Sequence, residues 1–97
     1  MNKPTLTIGI PAFNEEANIG YLLNDLKKQK IKLSRLKEII IVSDGSTDNT
    51  VREARQVKIL RGVELVVVQH KIRKGRAERQ NEIMKITNSE VLVLLDA

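Results

Sequence analysis

The run Ile39-Ile40-Ile41-Val42 sets four β-branched residues in succession and then breaks off at Ser43-Asp44-Gly45. A run without alternation suits a strand covered on both faces, as in a parallel sheet flanked by helices. Its abrupt end leaves Asp44 at the carboxyl tip of that strand, where Gly45 permits a tight bend. Ser46, Thr47 and Asp48 then offer side-chain oxygens able to cap a following helix. Ligands of open α/β sheets bind at this end of the strands. Turn chemistry alone also accounts for Asp44–Asp48, so the remaining segments have to decide between a turn and a site.

Thr5–Ile10 alternates and is rich in β-branched residues, which predicts a first strand ended by Pro11. Asn14 is placed to cap a helix beginning at Glu15-Glu16, with Ile19, Leu22, Leu23 and Leu26 on one apolar face and Lys27, Lys28 and Lys30 near its end. Ile31–Leu36 reads as a basic connector before the Ile39–Ser43 strand. A second helix of about ten residues from Asp48 turns Val51, Ala54 and Val57 inward. Val63–Gln69 is the third strand, His70–Lys74 a basic loop, Gly75 the start of a helix to about Thr87, and Glu90–Leu95 the fourth strand. The order β-α-β-α-β-α-β, with connections long enough for right-handed crossovers, predicts a Rossmann-like, three-layer α/β fold around a mostly parallel four-stranded sheet.

Ninety-seven residues allow one small domain, and with Phe13 and Tyr21 as the only aromatics its core must come from Ile, Leu and Val. The absence of cysteine excludes disulfides and thiolate metal sites. No apolar run reaches membrane-spanning length and the amino terminus lacks a signal-peptide core, which reads as a soluble chain on the cytoplasmic side. The 17 basic and 12 acidic residues give +5, which favours anionic partners such as phosphates or a lipid surface, and equally serves solubility. Nucleic acid is not an expected partner, because recognition motifs and stacking aromatics are missing.

The predicted topology brings Pro11–Asn14, Asp44–Asp48, His70–Arg76 and Asp96-Ala97 to one edge of the sheet. Acidic loops there can accept hydrogen bonds from a base or ribose, or lie near a cation, while the basic loop can meet phosphates. No Gly-x-Gly-x-x-Gly or Gly-x-x-x-x-Gly-Lys-Ser/Thr occurs, which argues against a dinucleotide dehydrogenase and a P-loop enzyme.

Four blocks, Pro11–Glu16, Ile41–Thr50, Gly75–Glu78 with Asn81, and Leu94–Ala97, resemble in order and spacing the successive motifs of family 2 inverting glycosyltransferases. The resemblance covers nearly the whole chain and implies a GT-A fold whose amino-terminal half binds a nucleotide-diphosphate sugar, commonly a UDP-sugar. It places Pro11, Ala12, Phe13 and Glu15 against the nucleoside, with Glu15 on the ribose or base, and gives Asp44, beside Gly45, a hydrogen bond from the pyrimidine. It sets Arg76 near the base and diphosphate. Asp96 matches the first aspartate of the Asp-x-Asp signature, whose second aspartate helps hold Mn2+ or Mg2+, so its own part at the metal is indirect. Ser43 stands where an aspartate is common, and Arg79-Gln80 where small or apolar residues are usual.

By the same resemblance residues 1–97 are the donor-binding part of a domain incomplete at its carboxyl end. The catalytic base is expected beyond Ala97, and the isolated chain is expected to be inactive. Such enzymes serve polysaccharide or cell-envelope synthesis, with acceptors that can be lipid-linked and sites at the cytoplasmic face of a membrane. The alternative is a small Rossmann-like nucleotide- or anion-binding interaction domain without catalysis. On the residues alone, Lys71, Arg73 and Lys74 read as a solvated loop and His70 as a bystander.

Overall fold

The computed structural model describes residues 4–28, 35–58 and 61–97. Its elements run β1 (Thr5–Ala12), α1 (Ile19–Lys28), β2 (Arg35–Asp44), α2 (Thr50–Gln56), β3 (Glu64–His70), α3 (Arg76–Ile86) and β4 (Val91–Leu94). The strands form one sheet in the order β3-β2-β1-β4, and every pairing is parallel. The predicted Rossmann-like architecture is the observed one.

The unbroken β-branched run has its explanation in two opposed cores. Ile39 and Ile41 face a cluster with Leu6, Ile8, Ile10, Ile19, Leu23, Leu26 and Ala54, which seats α1 and α2 on one side of the sheet. Ile40 and Val42 point the other way, to Ile83 of α3. All four are at most 1% exposed, as expected of a central strand with no solvent face. α3 lies so close to β1 that a methyl on Gly9 would stand 2.6 Å from Ile83 Cγ2. At the amino edge of the sheet, buried Glu38 accepts hydrogen bonds from the Thr7 hydroxyl at 2.7 Å and the Asn88 N–H at 2.9 Å, tying β1 and β2 to the turn before β4.

Boundaries shift in instructive ways. Pro11 does not end β1 but sits within it opposite Val42. Gly9 C=O accepts from Leu95 N–H on the β4 side at 2.9 Å. Residue 11 shares that orientation, away from β2, so proline leaves the β1–β2 ladder intact and ends only the β1–β4 pairing, which stops at Gly9–Leu94. Arg35 and Leu36, expected in a connector, open β2, while residues 29–34 lie outside the described region.

α1 starts at Ile19, after a turn in which the Glu15 carbonyl accepts from the Asn18 and Ile19 N–H groups. Asn14 therefore does not cap it. Its side-chain oxygen crosses to the Thr47 N–H at 2.8 Å, with the backbone at φ 49°, a conformation asparagine tolerates better than most residues. α2 begins at Thr50 rather than Asp48 and spans 7 residues, because Asp48 stays in the loop and accepts from the Thr50 N–H at 2.9 Å and the Glu16 N–H at 3.2 Å.

Candidate functional site

The sheet order reverses between β1 and β4, the switch point at which open α/β folds form a crevice beyond the strand ends. A cleft of about 260 Å3 opens there, lined by Pro11, Ala12, Phe13, Glu15, Asp44, Arg73, Arg76, Asp96 and Ala97. Every loop that the topology was expected to collect contributes to it. Of the residues singled out in the sequence, Pro11, Ala12, Phe13, Glu15, Asp44, Arg76 and Asp96 line the cleft, and Gly45 does not. Gly45 is buried behind it at φ 71°, where a Cβ would stand 2.7 Å from Arg73 N. Glycine is needed there both for the left-handed backbone and for the close approach of the basic loop.

Asp44 is the hub. Its Oδ1 accepts from Lys74 N–H at 2.7 Å and Arg79 Nε at 2.8 Å, and its Oδ2 from Gly75 N–H at 2.9 Å. Two donors on Oδ1 and one on Oδ2 leave one acceptor position on Oδ2. Burial pushes the carboxyl pKa up, but the Lys74 N–H, the Arg79 side chain and the Gly75 N–H outweigh it and hold it below 3.8. Asp44 is thus an anion at neutral pH although it is only 4% exposed. Its carboxylate closes the 71–75 loop onto the end of β2.

Arg79 is the residue that sequence reasoning missed. Its side chain is 6% exposed beside Asp44, and its Nη2 donates to the Ile72 carbonyl at 2.6 Å. Glu82 lies 3.6 Å from its Nη1 and also accepts from His70 Nε2 at 2.7 Å. His70 is therefore no bystander: it is the last residue of β3, paired with the helix that carries Arg79. A charged residue in a helix reads as solvent-facing. The available signal was that Arg76–Glu82 offers α3 no apolar side chain larger than Ala77 to set against the sheet.

Arg73 was read as part of a solvated loop, yet its guanidinium lies 3.9 Å from the centroid of the Phe13 ring, a cation–π contact inside the cleft. Arg76 Nη1 and Asp96 Oδ1 pair at 2.9 Å with side chains 62% and 65% exposed. An exposed pair of this kind is worth about 0–1 kcal/mol, so a ligand can open it at little cost.

The wall formed by Pro11–Glu15 is held by a second network. Glu15 N–H donates to Thr50 Oγ1 at 2.8 Å, Asn14 N–H to Ser46 Oγ at 3.1 Å, and Ser43 Oγ to Ser46 Oγ at 2.8 Å. Glu16 accepts from the Asn49 N–H at 3.2 Å, so its carboxylate serves the start of α2 rather than that of α1. These bonds fix Phe13 and Glu15 relative to Asp44 and leave the Arg73 and Arg76 side chains open to solvent.

Among the described residues no cluster of three or more His, Asp or Glu could hold a metal ion unaided. Asp96 offers exposed carboxylate oxygen at the cleft mouth, which suits a hard cation that takes its remaining ligands from phosphates and water.

A chain of this topology, with carboxylates and arginines around a crevice at the switch point, matches known proteins. Two curated relatives, the 4,4'-diaponeurosporenoate glycosyltransferases of Staphylococcus aureus strains bovine RF122 / ET3-1 and USA300, are each 46% identical over 54 residues, which cover 56% of this chain and 13% of theirs. The solved structure of mannosyltransferase PcManGT from Pyrobaculum calidifontis, in complex with GDP-Man and Mn2+, aligns at a TM-score of 0.80 and 26% identity over 99% of this chain and 28% of its own. The chain thus corresponds to a small part of each relative's length, and its fold matches part of a GT-A fold. The sequence profile of glycosyl transferase family 2 matches residues 7–97, and the chain belongs to that family.

Proposed function

We propose that residues 1–97 are the donor-binding part of a glycosyltransferase that moves a sugar from a nucleotide-diphosphate sugar, a UDP-sugar in the simplest reading, to an acceptor by direct displacement. The observation that carries this reading is the shared cleft. An apolar and carboxylate wall (Pro11, Ala12, Phe13, Glu15) faces two solvent-accessible arginines (Arg73, Arg76), with Asp96 at the same rim. The wall suits a nucleoside, with Glu15 accepting from ribose or base and the remaining Oδ2 position of Asp44 open to a base N–H. The arginines suit a diphosphate.

Departure of a nucleoside diphosphate concentrates negative charge on its phosphates, and guanidinium groups already positioned beside them lower the barrier. Asp96 would join a Mn2+ or Mg2+ ion held mainly by the diphosphate, and that ion would supply further charge stabilisation. Opening of the Arg76–Asp96 pair would free Arg76 for the phosphates and Asp96 for a cation.

Calorimetric titration of the intact protein with UDP, GDP and uridine, with and without Mn2+, tests this. The expected result is diphosphate binding strengthened by Mn2+ and weakened about 5- to 20-fold by Arg76→Ala. Salt-sensitive binding of RNA or anionic vesicles with no response to either diphosphate would favour the non-catalytic interaction domain instead.

A further inference from the structure

The 71–75 loop carries the arginine that stacks on Phe13 and leads directly into the arginine that pairs with Asp96. The interactions that pin its backbone converge on one buried side chain. Arg79 binds Asp44 through Nε and the Ile72 carbonyl through Nη2. Asp44 in turn holds the Lys74 and Gly75 N–H groups. Behind Arg79, Glu82 is itself fastened by His70. Nothing in this arrangement lets Arg79 reach the cleft, whose lining it does not join.

We infer that Arg79 is a positioning residue for the diphosphate: its fork spans the Asp44 carboxylate and the Ile72 carbonyl and thereby sets Arg73 and Arg76 at the spacing that receives the phosphates. This rests on the donor-site reading above. The geometry explains why arginine is required. Two acceptors on different segments are satisfied at 2.8 and 2.6 Å by nitrogens of one planar group, which a lysine ammonium on a flexible stem cannot reproduce. Without Arg79 the Ile72 carbonyl loses its donor and Asp44 its buried counter-charge. The loop backbone then keeps only the Lys74 and Gly75 bonds, and exposed side-chain contacts such as Arg73 on Phe13 and Arg76 on Asp96 are left to hold the two arginines against the nucleoside wall. The nucleoside wall itself is built by bonds among Asn14, Glu15, Ser46 and Thr50 that do not involve Arg79, so loss of Arg79 should be felt more at the phosphates than at the base, where only the Asp44 contact depends on it.

The test compares UDP and uridine affinities in the intact protein for wild type, Arg79→Met and Arg79→Lys, with thermal unfolding and hydrogen exchange of the 71–76 peptide measured in parallel. Arg79→Met is expected to lower the UDP-to-uridine affinity ratio about tenfold or more. Uridine binding should fall much less than UDP binding, and exchange at Lys74 and Gly75 should quicken. Arg79→Lys should recover only part of the ratio, and it carries the same test should the methionine variant fail to fold. A ratio that stays at the wild-type value, or affinities for both ligands that fall together with the unfolding temperature, would overturn the inference and leave the donor site standing. Wild-type protein that binds neither ligand would overturn both.

Discussion

Asp44 shows how one side chain can serve packing and chemistry together. Its carboxylate is ionised while buried because three donors and the Arg79 charge outweigh desolvation. Asp48, whose carboxyl burial also raises, is likewise brought below 3.8 by the Thr50 hydroxyl, the Thr50 N–H and the Glu16 N–H. With folded pKa values under the unfolded value, the unfolded chain takes up protons first on acidification. The stability these groups contribute is complete at neutral pH and is lost as pH falls below 3.8 towards their lowered values. Asp44→Asn is therefore expected to cost about 2–4 kcal/mol at neutral pH, and its difference from wild type should shrink as pH drops through that range, as read by urea unfolding in a pH series. Asp44 could be singled out from sequence because a carboxylate at a strand end is conspicuous. Its partner Arg79 could not, because its burial shows in the sequence only through the lack of any apolar side chain larger than Ala77 over residues 76–82.

Elements were more legible than their ends. A period-two or unbroken β-branched run is a packing requirement, so β1 to β4 and their parallel order followed from sequence, whereas each boundary was decided by a hydrogen bond to a distant residue. Pro11 stays in β1 because its N side faces away from β2 and leaves that ladder whole, and Asn14 leaves α1 uncapped because Thr47 N–H is within its reach. The close approach of α3 to β1 yields a prediction of its own. A methyl on Gly9 would meet Ile83 Cγ2 at 2.6 Å and Leu94 Cδ2 at 3.1 Å, so Gly9→Ala should push α3 off β1 and cost about 1–3 kcal/mol. In an Ile83→Ala background the same change should cost little or become favourable, because the new methyl enters the space that Ile83 vacated. A double-mutant cycle should thus return a coupling of about 0.5–3 kcal/mol, and additive costs would mean that α3 does not bear on Gly9 as described.

At the scale of the whole molecule, the strand order β3-β2-β1-β4 decides where charge is useful. The crossover to the far side of β1 puts β4 beside it, so Asp96 emerges next to the loop after β1 and opposite the basic loop after β3. Reversing any one connection would disperse these groups. The +5 net charge reinforces the local arrangement, since Arg73 and Arg76 stand 65% and 62% solvent-exposed at the cleft in a basic molecule. Exposed charges act through solvent and are screened within about 8–10 Å at moderate salt, while contacts to a nucleoside in an apolar and carboxylate wall are not. Raising sodium chloride from about 0.05 to about 0.5 M should therefore weaken UDP binding severalfold and leave uridine binding nearly constant. The slope for UDP should diminish in Arg73→Ala and Arg76→Ala, with calorimetry at fixed pH as the measurement. A UDP slope left unchanged by both substitutions would place the attraction in the molecule's overall field rather than in these two side chains, and the division of the cleft into a nucleoside wall and a phosphate wall would fail.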